Sequence, residues 1–188
     1  YNLISTSKVR NEMIIDDVIT CVARKQTPVI LTRFKEHAKF LHDALKEKAD
    51  HVFLLYGDNS DKENAEIRVK LKQIPENESL ILVATGQKIG EGFDFPRLDV
   101  LMLAAPVSFE GRLEQYVGRL NRDYVGKEAV YVYDYIDSHV RYFDKMYAKR
   151  LRTYRKTGFS IWTQELQPKQ LVNAIFDSVN YTEKFEQD

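Results

Sequence analysis

Two clusters of residues in this sequence have types and spacing suited to chemistry. The stretch "GRLEQYVGRLNRD" at 111–123 interleaves Gln115, Arg119 and Arg122 with Leu113, Tyr116, Val117 and Leu120. At 3.6 residues per turn the four apolar residues share one face. The glutamine and the two arginines, at i, i+4 and i+7, line the opposite face. Gly118 borders that polar face and lets another group approach the backbone closely. Arginine stays charged and presents a planar fork that suits phosphate oxygens. Two arginines one turn apart suit a triphosphate whose γ-phosphoryl gains charge during transfer. Taken alone, such a stripe is most often only a solvated charged face.

The second cluster is "ATGQKIGEGFDFP" at 84–96. Gly86, Gly90 and Gly92 allow backbone amides to point at an anion without Cβ obstruction. Thr85 offers a hydroxyl, and Asp94 a carboxylate able to accept a hydrogen bond from a sugar hydroxyl. Glycine content alone leaves a plain connecting loop about as good a reading. The spacing is not a dinucleotide fingerprint, and no G-x-x-x-x-G-K-[ST] phosphate loop occurs anywhere in the chain.

These clusters need elements to position them. "PVILT" (28–32), "HVFLLY" (51–56), "SLILVAT" (79–85), "DVLMLAA" (99–105) and "AVYVYDYI" (129–136) read as strands. Helical patterns lie between them, at 16–25, at 34–48 and after Ser60, where Ser60 and Glu63 form a capping box. Nearly continuous apolar strands alternating with helices predict a parallel sheet covered on both faces. Ligands then bind beyond the carboxyl ends of the strands, where "TRFKE", "YGDNS", "ATGQKIGEGFDFP" and "APVSFEGR" collect. A long helix at 138–156 follows, with an apolar stripe (Val140, Phe143, Tyr147, Leu151, Tyr154) and a basic one (Arg141, Lys145, Lys149, Arg152, Lys156). The basic stripe suits a nucleic-acid backbone and equally a solvated face. A last helix is expected around 168–179, with Phe159 and Trp162 packed in a core before it.

The 188 residues carry 28 Lys+Arg against 28 Asp+Glu, so any attraction to a polyanion must come from a local patch. The single cysteine, Cys21, rules out a disulfide framework within the chain and fits a reducing compartment, cytoplasmic or nucleoid-associated. It lies in an apolar-periodic stretch and reads as a buried structural thiol. His37, His42, His51 and His139 lack metal-ligand spacing, so no metal ligand is assigned. No apolar run approaches a membrane span, and no signal peptide opens the chain.

Together the two clusters resemble the second RecA-like domain of superfamily 2 helicases and translocases. "ATGQKIGEGFDFP" is similar to their motif V and "QYVGRLNR" to their motif VI, Q-x-x-G-R-x-x-R. "PVILTRFKEHAKFLHDAL" resembles motif IV with its helix, and order and spacing agree over residues 28 to about 137. The resemblance implies a three-layer RecA-like α/β domain at 1–137 and a helical extension at 138–188. It implies that Arg119 and Arg122 are arginine fingers reaching ATP across a cleft, with Gln115 orienting the nucleotide. Gly92 and Asp94 would border the nucleotide. Arg33, Gly57, Asp58, Thr85 and Gly86 would meet the nucleic-acid backbone, joined by Lys88 at a position that the family pattern does not fix. The G-E-G-F-D form is closer to DNA-repair and restriction-type members, which leans toward duplex DNA.

In that family the phosphate-binding lysine and the D-E-x-x carboxylates that hold Mg²⁺ lie in a first RecA-like domain, and neither motif is present here. The expectation is half of a monomeric motor, with its partner domain upstream of Tyr1 and no hydrolysis by this half alone. The alternative is a nucleic-acid-binding scaffold that has lost hydrolysis, which would have no need of an intact arginine pair. An unrelated α/β enzyme such as a methyltransferase would want a glycine-rich loop after its first strand, and "PVILTRFKE" has none.

Overall fold

The structure, a computed structural model, describes residues 2–90, 93–106, 110–138 and 140–164. Five strands form one parallel sheet: β1 (Pro28–Thr32), β2 (His51–Leu55), β3 (Leu80–Thr85), β4 (Val100–Leu103) and β5 (Tyr131–Asp134). Their order is β2-β3-β1-β4-β5, with β1 paired to β3 through Thr32 opposite Thr85 and to β4 through Leu31 opposite Leu103. The helices are α1 (Asn2–Thr6), α2 (Lys8–Ala23), α3 (Lys35–Leu45), α4 (Asp61–Gln73), α5 (Gly86–Gly90), α6 (Glu110–Leu120) and α7 (Arg141–Lys156).

Alternation along the central strands explains the three layers. Val29, Leu31, Leu80, Leu82, Leu101 and Leu103 turn to one face, where they meet Leu71 of α4 and Leu113, Tyr116, Val117 and Leu120 of α6. Ile30, Ile81, Val83, Val100 and Met102 turn to the other, against Ile14, Val18 and Cys21 of α2 and Ala38, Leu41 and Leu45 of α3. Cys21 is thus buried, as its setting predicts. The expected three-layer α/β domain is present. At the margins β2 and β5 are only partly covered. Among the described residues no helix is long and apolar enough to cross a membrane.

Several boundaries differ from the sequence reading. The first long helix begins at Lys8, capped by Ser7, eight residues before the apolar stripe suggested. Its first turns bury polar Arg10 and Asn11, so hydropathy gives no sign of them. The capping box at Ser60 and Glu63 is present, each closing on the other's backbone N–H. α6 ends at Leu120, so Arg122 lies just beyond the helix instead of on its last turn. α7 buries Phe143, Met146, Arg150, Thr153 and Tyr154, a face rotated from the expected stripe. The cause is Arg150, which forks onto both carboxylate oxygens of Asp134 at 2.7 and 2.8 Å while the Tyr154 hydroxyl donates to the same carboxylate at 2.8 Å.

α7 ends at Lys156 and is closed by Gly158, whose φ of +83° suits a residue without Cβ. Phe159 N–H donates back to the Tyr154 carbonyl at 3.0 Å and Gly158 N–H to that of Arg155 at 3.3 Å, a Schellman closure. The turn sets Phe159 edge-on against Tyr154, with centroids 6.1 Å apart. Trp162, by contrast, is 92% exposed and does not join the core. The helix expected at 168–179 lies outside the described residues, as do Gly92 and His139.

Candidate functional site

The arginine-bearing helix α6 faces the segment that leads from β3 to β4. Three polar links join them. The Tyr116 hydroxyl donates to the Gly86 carbonyl at 2.9 Å, Arg119 Nη1 donates to the Phe93 carbonyl, and Arg122 Nη1 meets Asp94 Oδ1 at 2.9 Å. Between them lies an open cleft of about 410 Å³ lined by Phe93, Asp94, Gln115, Gly118, Arg119 and Arg122. A Cβ on Gly118 would meet nothing within 4 Å, so the backbone there is open to a ligand. Gln115, Arg119, Arg122 and Asp94 are therefore brought together, and the two clusters read separately in the sequence become one site.

The two arginines differ in setting. Arg122 and Asp94 are each 52% exposed, so their pair contributes little, on the order of 0–1 kcal/mol. Arg119 is half-buried and anchored on a main-chain carbonyl. The α6 terminus carries a further cation that motif reading passes over. Lys127 Nζ donates to the carbonyls of Leu120 at 2.5 Å, Arg122 at 3.0 Å and Pro96 at 2.5 Å. It satisfies helix-end acceptors where the macrodipole is negative and ties the Arg122 backbone to the loop before β4. Burial pushes its ammonium pKa down, with Asp99 opposing. Only its place at a helix end hints at this from sequence.

The proposed nucleic-acid residues gather at the carboxyl ends of three adjacent strands. Arg33 follows β1, exposed, its guanidinium carbon 5.6 Å from the Phe34 ring centroid. Gly57 and Asp58 follow β2, where Asp58 pairs with Lys35 of α3. A Cβ on Gly57 would sit 3.1 Å from Lys35 Cε, so this glycine leaves room for that ion pair. Thr85 ends β3 and is 6% exposed. Gly86 is crowded on one side, since a Cβ there would lie 2.7 Å from the Tyr116 hydroxyl. Lys88 Nζ lies 3.5 Å from Asp61, and its carbonyl accepts from Arg68 at 3.2 Å. Lys35 and Arg68 are cations of this edge that the motif reading missed.

Beneath the edge runs a buried polar chain. Phe34 N–H donates to Thr32 Oγ1 at 3.3 Å, and that hydroxyl lies 3.1 Å from His37 Nδ1. His37 Nε2 is 2.9 Å from Asn11 Oδ1, and Asn11 Nδ2 donates to the Ser5 carbonyl at 3.0 Å. With the proton on Nε2, every link has one donor and one acceptor. Burial, reinforced by the Arg10 cation, pushes the His37 pKa down to about 4. The histidine that spacing left without a metal role thus braces the Arg33 turn against α2.

Comparison with known proteins agrees with this architecture. A family model described as "Helicase conserved C-terminal domain" matches residues 10–123. The transcript termination protein A18 of Yaba-like disease virus is 32% identical over 120 residues, 63% of this chain and 24% of that protein. The putative helicase 161L of Invertebrate iridescent virus 6 is 33% identical over 118 residues, 62% of this chain and 22% of that protein. The chain thus spans about a quarter of the length of these relatives. Among solved structures, T4 UvsW superposes with a TM-score of 0.66 at 23% identity, covering 82% of this chain and 34% of that one. Domain 2 of the Mss116p DEAD-box helicase, bound to an RNA duplex, superposes with a TM-score of 0.61 at 17% identity, covering 93% of this chain and 65% of that one. The match over residues 10–123, more than half of the chain and on a RecA-like sheet, shows that the chain belongs to the helicase conserved C-terminal domain family.

Proposed function

We propose that this domain is the C-terminal half of an ATP-driven nucleic-acid motor, a helicase or translocase, with Arg119 and Arg122 supplying positive charge to the ATP phosphates. The observation that carries this reading is the convergence of Gln115, Arg119, Arg122 and Asp94 around the open backbone of Gly118. The donor set fits a nucleotide: two guanidinium forks for phosphate oxygens, an amide, and a carboxylate that can accept from a sugar hydroxyl. ATP supplies the phosphoryl group, and an upstream RecA-like domain supplies its phosphate loop and the carboxylates for Mg²⁺.

On this reading Arg122 leaves Asp94 for phosphate at little cost, because the exposed pair contributes so little. Asp94 is then released toward the ribose. Arg119 stays on the Phe93 carbonyl while its side chain lines the cleft. Arg33, Gly57, Asp58, Thr85, Gly86 and Lys88 hold the nucleic-acid backbone at the sheet edge, and the Tyr116 link to Gly86 connects that edge to the arginine helix. The G-E-G-F-D form favours DNA as the partner. The transcript-termination names of the viral relatives suit a motor that displaces a strand.

The test is ATP turnover by the full-length chain with duplex DNA, single-stranded DNA or RNA as activator, beside Arg119→Ala and Arg122→Ala. The expected result is stimulated turnover that falls by roughly 10³-fold or more in either variant. Turnover that neither substitution changes would contradict the finger assignment. An intact chain with no turnover under any activator would point to the scaffold.

A further inference from the structure

α7 carries seven basic residues and one acidic residue among its sixteen. Arg150 turns inward to Asp134, and the other six, Arg141, Lys145, Lys149, Arg152, Arg155 and Lys156, are exposed. At about 100° per residue, Arg141, Lys145, Lys149, Arg152 and Lys156 fall within an arc of roughly 80°, along a helix length of about 22 Å.

Composition does not explain this stripe, because the whole chain balances 28 basic against 28 acidic residues. Nor does the chain's usual way of building a helix surface. α4 interleaves Asp61, Glu63 and Glu66 with Lys62, Arg68, Lys70 and Lys72. α7 instead sets like charges at i, i+4 three times over: 141 with 145, 145 with 149, and 152 with 156. Such pairs repel and weaken a helix. α7 tolerates them because its opposite face is fixed by the Asp134–Arg150–Tyr154 cluster and by Phe143 and Met146 packed on Ile4. A helix held rigid from below, with a basic stripe on top whose far-end Lys156 meets Glu114 at 3.0 Å, is a preformed track for a polyanion.

Its place in the fold favours one polyanion. Asp134 is the last residue of β5, so the anchor of α7 sits at the carboxyl edge of the sheet, the edge that carries Arg33, Gly57 and Thr85. Four strand spacings, about 19 Å, separate β2 from β5 along that edge. Nucleic acid presents one phosphate per about 3.4 Å along each strand, so about six phosphates face the length of the stripe. Tyr142, 55% exposed, adds an aromatic face at one end.

We infer that the outward face of α7 is a second nucleic-acid contact, a phosphate-binding track separate from the strand-end residues and from the nucleotide cleft. It rests on the proposed motor reading for its ligand but not for its chemistry. Its contribution is affinity without sequence preference, since phosphate contacts position a protein without reading bases.

The experiment measures binding of the full-length chain to fluorescein-labelled single-stranded DNA, duplex DNA and duplex RNA by anisotropy, across a salt series. It compares the parent with Lys145→Ala/Lys149→Ala and Lys145→Glu/Lys149→Glu. Both positions are exposed, and circular dichroism checks that the variants fold. The alanine pair should weaken binding about ten- to a hundredfold near 0.1 M salt and lower the log–log salt slope by about 1.4–1.8. The glutamate pair should weaken it further, while ATP turnover at saturating nucleic acid stays at the parent's rate. Unchanged affinity and slope in folded variants would overturn the inference and leave α7 facing solvent or an acidic protein. Altered binding by a chain without ATP turnover would retain the track and reject the motor, so the two readings fail separately.

Discussion

Arg119 and Arg122 meet the loop before β4 in different ways, and that difference sets what each substitution should do to the fold. Arg122 pairs at the surface, so Arg122→Ala should change stability by no more than about 1 kcal/mol. Arg119 donates a charged hydrogen bond to the Phe93 carbonyl, and Arg119→Ala should cost about 1.5–3 kcal/mol. Urea unfolding of both variants checks the contrast. Gly86→Ala drives a methyl group to 2.7 Å from the Tyr116 hydroxyl, so it should destabilise the parent clearly and the Tyr116→Phe background much less. Additive effects in that double-mutant cycle would contradict the contact. The residue types were legible in the sequence, since Gln115, Gly118, Arg119 and Arg122 line one cleft as their spacing implied. Their partners were not. Gly86 reads as room for an anion, yet a tyrosine thirty positions away occupies part of that room. A link between residues so far apart leaves no mark on local periodicity.

At the scale of elements, apolar alternation and turn chemistry carried the reading furthest. The five strands and the capping box were legible because short apolar runs, continuous in the central strands that are buried on both faces, and the S-x-x-E pattern are local signals. Helix ends that rest on buried polar residues were not: α2 starts on Arg10 and Asn11, and α7 turns to bury Arg150. Arg150→Ala leaves the Asp134 carboxylate buried without its guanidinium partner, and should cost about 3–5 kcal/mol in chemical denaturation. Ser60→Ala, which removes only a surface cap, should cost about 1 kcal/mol. Equal losses in the two variants would contradict the account of how α7 is fixed.

Across the whole molecule, the parallel sheet sets the proposed nucleotide cleft beside β4 and the proposed nucleic-acid edge over β2, β3 and β1; the Tyr116 link joins the two, and the chain from Ser5 to Phe34 braces the edge at β1. The buried His37 makes this assembly sensitive to acid. Its pKa, near 4 when folded, rises to about 6.5 in the unfolded chain, so the unfolded state binds the extra proton first. The associated stability is fully present above about pH 6.5 and is lost as pH falls toward 4, by up to about 3 kcal/mol. Unfolding free energies measured across that range should decline in the parent and decline less in His37→Gln. Single-turnover ATP hydrolysis by the full-length chain with saturating nucleic acid separates the chemical step from binding, and so isolates the proposed role of the two arginines. If Arg119 and Arg122 act as proposed, Arg119→Ala and Arg122→Ala lower the hydrolysis rate by roughly 10³-fold or more while nucleic-acid affinity stays near the parent's. A parental hydrolysis rate in both variants would contradict the assignment of these two arginines.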